Sequence, residues 1–242
     1  MTAEFSNVYD DRTRAAAYAE LEFPGTYSLA YRDLPAIIGE HVRGRTALDF
    51  GCGAGRSTRF LRALGFDTMG VDIAEPMLAR ARERDPTGAY RLVRDGDPGG
   101  GAGPYDLILC AFTFDNIPTM EKKVALLSSL SRLLRPGGRI VNLVSAPEIY
   151  VNEWASFSTR EFPENRTARR GDTVRIVMLD VEDRRPVEDI LWRDADYREV
   201  YQRAGLIALE TCRPLGQPTD AQPWVSETTI APWVIYVLGA AG

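Results

Sequence analysis

Short apolar runs alternate along this chain with stretches in which apolar residues recur every three or four positions, and clusters rich in Gly and Pro separate them. The first kind fits strands buried on both faces; the second fits helices with one buried side. Taken in order, the pattern predicts a helix at Leu34–His41, a strand at Thr46–Phe50, a helix at 56–64, a strand at 67–71 and a helix at 77–84. A strand at 107–112, a helix at 120–134 ended by Pro136-Gly137-Gly138, and a strand at 139–144 continue the alternation. This is the signature of an α/β fold, a mostly parallel sheet doubly wound by helices. Residues 146–193 interrupt it with polar turns and two alternating segments, 173–179 and 187–192, which predict a small antiparallel β insertion of two strands. A helix at 194–204 and strands at Leu206–Cys212 and 233–238 then complete the sheet. At the start, residues 5–31 are polar and aromatic, with helical spacing at 13–21 and a break at Pro24-Gly25, and read as an N-terminal helical cap. The expected organisation is one domain over 1–242, with 1–33 as the cap and 146–193 as an insertion on the ligand side.

One junction carries chemistry. The first strand breaks into Asp49-Phe50-Gly51-Cys52-Gly53-Ala54-Gly55, and the second ends on Asp72, 21 residues after Gly51. Alternating glycines between a strand and a helix bring bare backbone against a ligand, and an acid at the next strand tip accepts hydrogen bonds from both hydroxyls of a ribose. The pair therefore predicts a nucleoside site. A dinucleotide fingerprint needs a glycine three positions after Gly53, where Arg56 stands, and no phosphate-binding Gly-x-x-x-x-Gly-Lys-Ser/Thr string occurs. Asp49 beside the loop suits a ligand with a cationic ammonium, as S-adenosylmethionine has along with its sulfonium and ribose. The plainer alternatives are a simple strand-to-helix turn and an Asp72 that only caps a helix. Ligands in such sheets sit at the carboxyl ends of the strands, where Gly51, Asp72, Asp95 and Phe112 all fall.

The loop at 47–55, Val-Asp-Ile-Ala-Glu-Pro-Met-Leu at 71–78, Tyr-Asp-Leu-Ile-Leu-Cys-Ala-Phe at 105–112 and Leu-Leu-Arg-Pro-Gly-Gly-Arg-Ile at 133–140 resemble the ordered motifs of class I S-adenosylmethionine-dependent methyltransferases, over about residues 45–145. The resemblance implies a Rossmann-like sheet of seven strands with the last antiparallel. It implies that Asp49, Gly51, Gly53 and Gly55 hold the methionine moiety, that Asp72 grips the ribose and that Ile73 lies against adenine. Asp95, in Asp95-Gly96-Asp97, would face the exocyclic amine, although the glycine-rich 98–103 departs from the usual apolar sequel. The chain also resembles small-molecule methyltransferases of bacterial secondary metabolism, among them indole C-methylating enzymes.

Composition narrows the partners. With 29 Lys plus Arg against 34 Asp plus Glu, the net charge of −5 disfavours a polyanionic partner unless a local patch supplies attraction. Arg166, Arg169 and Arg170 form such a cluster, without interleaved aromatics, and nucleic acid is not expected. Three separated cysteines give neither a disulfide framework nor metal-ligand spacing, so no metal is expected. No secretory leader and no run of eighteen apolar residues is apparent, which predicts a cytoplasmic protein without membrane contact. A homodimer is compatible with the sequence.

Methyl transfer from a sulfonium expels a neutral thioether and needs no acid, so alignment of the nucleophile dominates. Where the nucleophile must lose a proton, a base is required. The lone histidine, His41, sits at the end of the helix entering the first strand, which leaves Asp, Glu or Tyr. Asp115 and Tyr27 are the candidate catalytic residues, with Asp115-Asn116 as a helix cap the alternative. Arg32 is a candidate for the cofactor carboxylate. Tyr31, Phe114, Asn116, Glu148, Tyr150, Trp154 and Trp192 are candidates for substrate contact. The expected acceptor is a small organic molecule with an electron-rich ring, an indole carbon among the options, with nitrogen and oxygen methylation left open. Rival readings are a nicotinamide-dependent oxidoreductase and a non-catalytic binder of S-adenosylmethionine.

Overall fold

A computed structural model describes residues 22, 24–99 and 103–241. The helix expected at 13–21 lies outside these residues. Among the described residues, ten strands form two sheets. The larger contains β1 (Thr46–Phe50), β2 (Asp67–Asp72), β3 (Ala89–Leu92), β4 (Tyr105–Ala111), β5 (Leu134–Ser145), β9 (Leu206–Cys212) and β10 (Trp233–Ala240), in the order β3-β2-β1-β4-β5-β10-β9. β1 pairs in parallel with β2 and β4, and β10 runs antiparallel to both β5 and β9. The last strand is thus the antiparallel one, as the resemblance implied.

Alternation along the strands divides the core. Ala47, Leu107, Leu109, Val141 and Leu143 face one side, against α1 (Gly25–Arg32), α2 (Leu34–His41) and Leu61 of α3 (Arg56–Ala63). Leu48, Ile108, Ile140 and Val144 face the other, against α5 (Met120–Ser131) and α6 (Asp194–Arg203). Each fully buried Leu or Ile on these faces contributes about 1.5–3 kcal/mol relative to exposure. The remaining helix, α4 (Glu75–Arg84), follows β2.

Pro24-Gly25 opens a helix: Pro24 is the N-cap of α1, and its carbonyl accepts from Tyr27 N at 2.9 Å. Two expectations need correction. Helix α5 stops at Ser131 because Pro136-Gly137-Gly138 lies inside the opening of β5, where the pairing with β4 shifts register at Tyr105/Leu107. The insertion sheet has three strands, β6 (Phe157–Ser158), β7 (Thr173–Met178) and β8 (Val187–Ile190), in that order and antiparallel. Two residues of β6 are too few for an alternation to register in sequence.

The insertion is tied to α1 and to the end of the chain. Thr26 N donates to Ser156 Oγ at 2.8 Å, and Ser156 N donates to Thr26 Oγ1 at 3.0 Å. Thr26 Oγ1 donates to the buried Glu227 at 2.6 Å, which also accepts from Ala155 N at 2.7 Å. Such reciprocal bonds among buried groups fix the pieces they join, and here they seat Tyr27, the next residue of α1.

Candidate functional site

The strand order reverses between β1 and β4, and a cleft opens at the carboxyl ends of β1, β2 and β4, the position expected for a ligand in such a sheet. Gly51 N and Cys52 N both donate to Val71 O, at 2.8 and 3.0 Å, folding the loop across the tip of β2. Asp72 braces it from the far side: Oδ2 accepts from Gly53 N and Oδ1 from Ala74 N, both at 2.8 Å. The cleft, of about 280 Å³, is lined by Gly51, Gly53, Asp72, Ile73, Asp95, Gly96, Phe112 and Asn116 among the sequence candidates, with Met77, Asp97, Thr113 and Ile117 added by the fold.

The loop glycines are required by the protein as much as by a ligand. A Cβ on Gly51, at φ +75°, would lie 2.2 Å from Thr113 Oγ1, which is held by donating to Phe50 O at 2.8 Å. A Cβ on Gly55 would lie 2.6 Å from Tyr90 Oη, and Gly55 does not line the cleft. Gly51→Ala is expected to cost about 1–3 kcal/mol through left-handed backbone strain and this contact. Urea denaturation measures it, and an unchanged midpoint would show that the loop accommodates the methyl.

Asp49 lies under the loop rather than in it. Fully buried, it accepts from Ser57 Oγ and Thr58 Oγ1 at 2.6 Å each, so it anchors the first turn of α3 and makes no wall of the cleft. Burial pushes its pKa up to about 6, against the lowering effect of the two hydroxyls. An unfolded aspartate titrates near pH 4, so between about pH 4 and 6 the folded chain keeps a proton that the unfolded chain has released. The group therefore favours folding most at low pH, and its contribution declines as pH rises through that window. Asp49→Asn keeps an acceptor for the hydroxyls but cannot ionise. Its urea stability is expected to gain on the wild type from pH 4 to pH 6.5, by up to about 3 kcal/mol; a pH-independent difference contradicts this.

Behind the cleft lies a chamber of about 50 Å³. Tyr27, Phe112, Phe157 and Trp233 form aromatic walls; Tyr150, Asp115, Asn116, Ser145 and Asp189 are its polar lining. Phe112 and Asn116 line both spaces, so cleft and chamber meet there. Phe112 has φ 63°, the one positive φ outside glycine among the described residues, and such strain concentrates at functional sites. Its ring lies 4.7 Å from Trp233 and edge-on to Tyr27 at 5.8 Å, while Tyr27 stacks on Trp233 at 5.6 Å. The Trp233 indole N–H donates to Thr26 O at 2.8 Å, which fixes the ring on α1.

Asp115 sits in the 3-10 turn Thr113–Asn116 that follows Phe112. Its oxygens accept from Ser145 N at 3.0 Å, Ser145 Oγ at 2.9 Å and Tyr197 Oη at 3.3 Å. Burial raises its pKa, and those bonds together with the nearby Lys123 oppose the rise. Lys123 is buried in turn, which lowers its pKa against the attraction of Asp115 and Asp189, and its Nζ donates to Phe114 O. Asp189 accepts from Tyr150 Oη at 3.0 Å. The capping alternative for Asp115 and Asn116 does not hold, because Thr119 caps α5 by accepting from Lys122 N at 3.2 Å.

Several candidates fall elsewhere. Arg32 forks onto Asp33 and donates to Leu215 O at 3.1 Å, outside the cleft. Tyr31 is buried edge-on to Phe60 at 5.2 Å, with the Arg56 guanidinium over its ring. Phe114 is a core residue under Phe50. Trp154 is buried and donates to Ile149 O at 2.9 Å, and Trp192 packs against the Lys123 ammonium. Glu148 is exposed, and lines neither space. Aromatic residues near a strand end were read as lining, but the core claimed them. Asp95 lines the cleft and pairs with Lys122 at 3.0 Å.

Sequence reasoning missed Asp189, Phe157 and Trp233. Asp189 had a signal: in β8, Val187 and Asp189 turn to the chamber, while Glu188 and Ile190 turn to the cleft. An acid sharing a strand face with Val187 marks a buried carboxylate.

Sheet order, switch-point cleft and small antiparallel sheet together define the class: a Rossmann-like methyltransferase fold. Residues 48–140 match the family model described as "Methyltransferase domain". The chain is 34% identical over 108 residues to the ubiquinone biosynthesis O-methyltransferase of Methylococcus capsulatus, a match covering 41% of this chain and 43% of that protein, less than half the relative's length. Among solved structures, it resembles the CcbJ methyltransferase of Streptomyces caelestis with a TM-score of 0.67 at 19% identity, over 94% of this chain and 96% of that one. An S-adenosylmethionine-dependent methyltransferase of Clostridium acetobutylicum superposes with a TM-score of 0.62 at 14% identity, over 97% of each chain. The likeness to these solved structures is one of fold, and residues 48–140 carry the likeness to the methyltransferase family model. Among the described residues, no helix is long and apolar enough to cross a membrane.

Proposed function

We propose that the chain transfers the methyl group of S-adenosylmethionine to a small organic acceptor whose reacting atom enters the aromatic chamber. The observation that carries this is the junction of cleft and chamber at Phe112 and Asn116.

The cleft fits the cofactor. Asp72 at the tip of β2 suits a ribose, Ile73, Met77 and Ile117 offer apolar contact to a base, and Asp95 and Asp97 offer acceptors for an exocyclic amine. Bare backbone at Gly51 and Gly53 admits close approach on the side toward Phe112. When bound, S-adenosylmethionine supplies a methyl group on a sulfonium, whose leaving group is a neutral thioether. The chain's own part is to hold the acceptor in line at about 3 Å, an orientation effect worth several kcal/mol. Tyr27 and Phe112 restrict the acceptor's approach, Asn116 offers it a hydrogen bond, and Asp115 and Asp189 are the carboxylates within the chamber, where a base is to be sought.

Size bears on the acceptor. An apolar cavity of about 150 Å³ takes one benzene ring, so a chamber of about 50 Å³ takes a small head group and not an indole. Indole carbon methylation requires the chamber to widen; a nitrogen or oxygen on a flexible or saturated acceptor does not. Most of the chamber, Tyr27, Ser145, Tyr150, Phe157, Asp189 and Trp233 included, lies outside the matched residues 48–140, so acceptor chemistry is free to differ from that of the relative.

The test is calorimetry with S-adenosylmethionine and with NADH, followed by a screen for S-adenosylhomocysteine release across amine, phenol and indole acceptors. Binding of the sulfonium donor alone, with release from one acceptor class, is expected. Binding of NADH instead, or donor binding without release from any acceptor, counts against methyl transfer.

A further inference from the structure

The chamber's lining is chemically one-sided. Two buried carboxylates, Asp115 and Asp189, share it with five aromatic rings, and the other hydrogen-bonding groups among its described lining residues are neutral. Aromatic faces attract cations through the ring quadrupole, and the two carboxylates, hydrogen-bonded to Ser145, Tyr197 and Tyr150 with Lys123 behind them, add negative charge on the same side. An anionic acceptor would be repelled by both acids. A neutral hydroxyl would find acceptors but gain nothing from the rings of Phe112, Phe157 and Trp233; the Tyr27 ring already carries the Arg56 guanidinium.

We infer that the acceptor's head group is a protonated aliphatic amine, received between the aromatic walls and the Asp115–Asp189 pair, and that Asp189 takes its proton. This rests on the methyl-transfer reading above. The ammonium N–H bond breaks, the proton bonds to an Asp189 carboxylate oxygen, and the electron pair stays on nitrogen as the lone pair that methyl transfer requires. Asp115 is the positioning member, since its oxygens already accept from Ser145 and Tyr197. Tyr150 orients Asp189 through its hydroxyl. Lys123, whose charge both acids favour, lies behind them with its Nζ on Phe114 O, not among the chamber's lining residues. Deprotonation also removes a positive charge from beside the sulfonium.

The test is a titration of the full chain, saturated with S-adenosylhomocysteine, with dimethylammonium chloride and with propan-2-ol, a neutral probe of similar size. Binding is read from the Trp233 indole N–H resonance, assigned with Trp233→Phe. At least tenfold tighter binding of the cation is expected, weakened at least tenfold in Asp189→Asn with S-adenosylhomocysteine affinity unchanged. Phe157→Leu, which keeps apolar bulk but removes a ring face, is expected to weaken the cation several-fold and the alcohol little. Equal affinity for the two probes, or cation binding unaffected by a folded Asp189→Asn, overturns the inference. Methyl transfer to phenols or indoles with amines untouched overturns it too and leaves the methyl-transfer reading standing. Failure of S-adenosylhomocysteine to bind at all instead sinks that underlying reading.

Discussion

Asp72→Ala is expected to weaken S-adenosylmethionine binding by about 1–3 kcal/mol, the cost of leaving hydrogen-bonding groups unpaired, or roughly 5- to 150-fold in Kd. On the proposed reading this residue has two tasks: it faces the cleft in which we place the ribose, and it already accepts from Gly53 N and Ala74 N, so its loss also loosens the glycine loop. Asp72→Asn is milder but touches both tasks, since its single amide oxygen keeps only one of the bonds from Gly53 N and Ala74 N while its amide nitrogen faces the other N–H. An intermediate loss of affinity is expected for it by calorimetry. Unchanged affinity in Asp72→Ala would remove the ribose assignment and leave the acid as a brace.

The second large effect is on turnover. Asp115→Asn is expected to lower S-adenosylhomocysteine release on the order of 10²-fold, the scale set by misplacing reacting groups by about 1 Å, with cofactor affinity little changed. The amide must turn an N–H toward Ser145 N, Ser145 Oγ or Tyr197 Oη, all of which Asp115 now accepts from. With the amide oxygen kept on Ser145, the amide N–H faces Tyr197 Oη, whose hydroxyl must then accept and find another place for its own hydrogen, at a cost of up to about 1–3 kcal/mol. A lowered midpoint with normal turnover would make Asp115 a structural residue. Normal values of both would remove it from the account.

What could be read from the residues differs by kind of signal. Strands β1, β2, β4 and β9 and helix α2 were legible because their apolar periodicity is strong and bounded by Gly, Pro or charge. β3 was not: it is a four-residue edge strand whose side chains are largely exposed, so burial left no pattern. The cleft was legible at Gly51, Gly53, Asp72, Ile73, Asp95 and Gly96, because a nucleoside site is built from consecutive residues at strand tips. The chamber was not, since α1, β7, β8 and the start of β10 meet there only through tertiary contacts. Phe114, Trp154 and Trp192 show the matching error: sequence marks an aromatic residue near a strand end but not whether its ring points to a pocket or to the core. Asp49 shows another, because spacing places an acid near a loop without saying that two hydroxyls of α3 claim it from below.

A structure of the protein grown with S-adenosylhomocysteine decides where the nucleoside sits. The nucleoside is expected in the cleft with both ribose hydroxyls on Asp72, its base beside Ile73 and its sulfur directed to the opening between Phe112 and Asn116. A ligand lodged elsewhere, or one whose sulfur turns away from the chamber, would contradict the account.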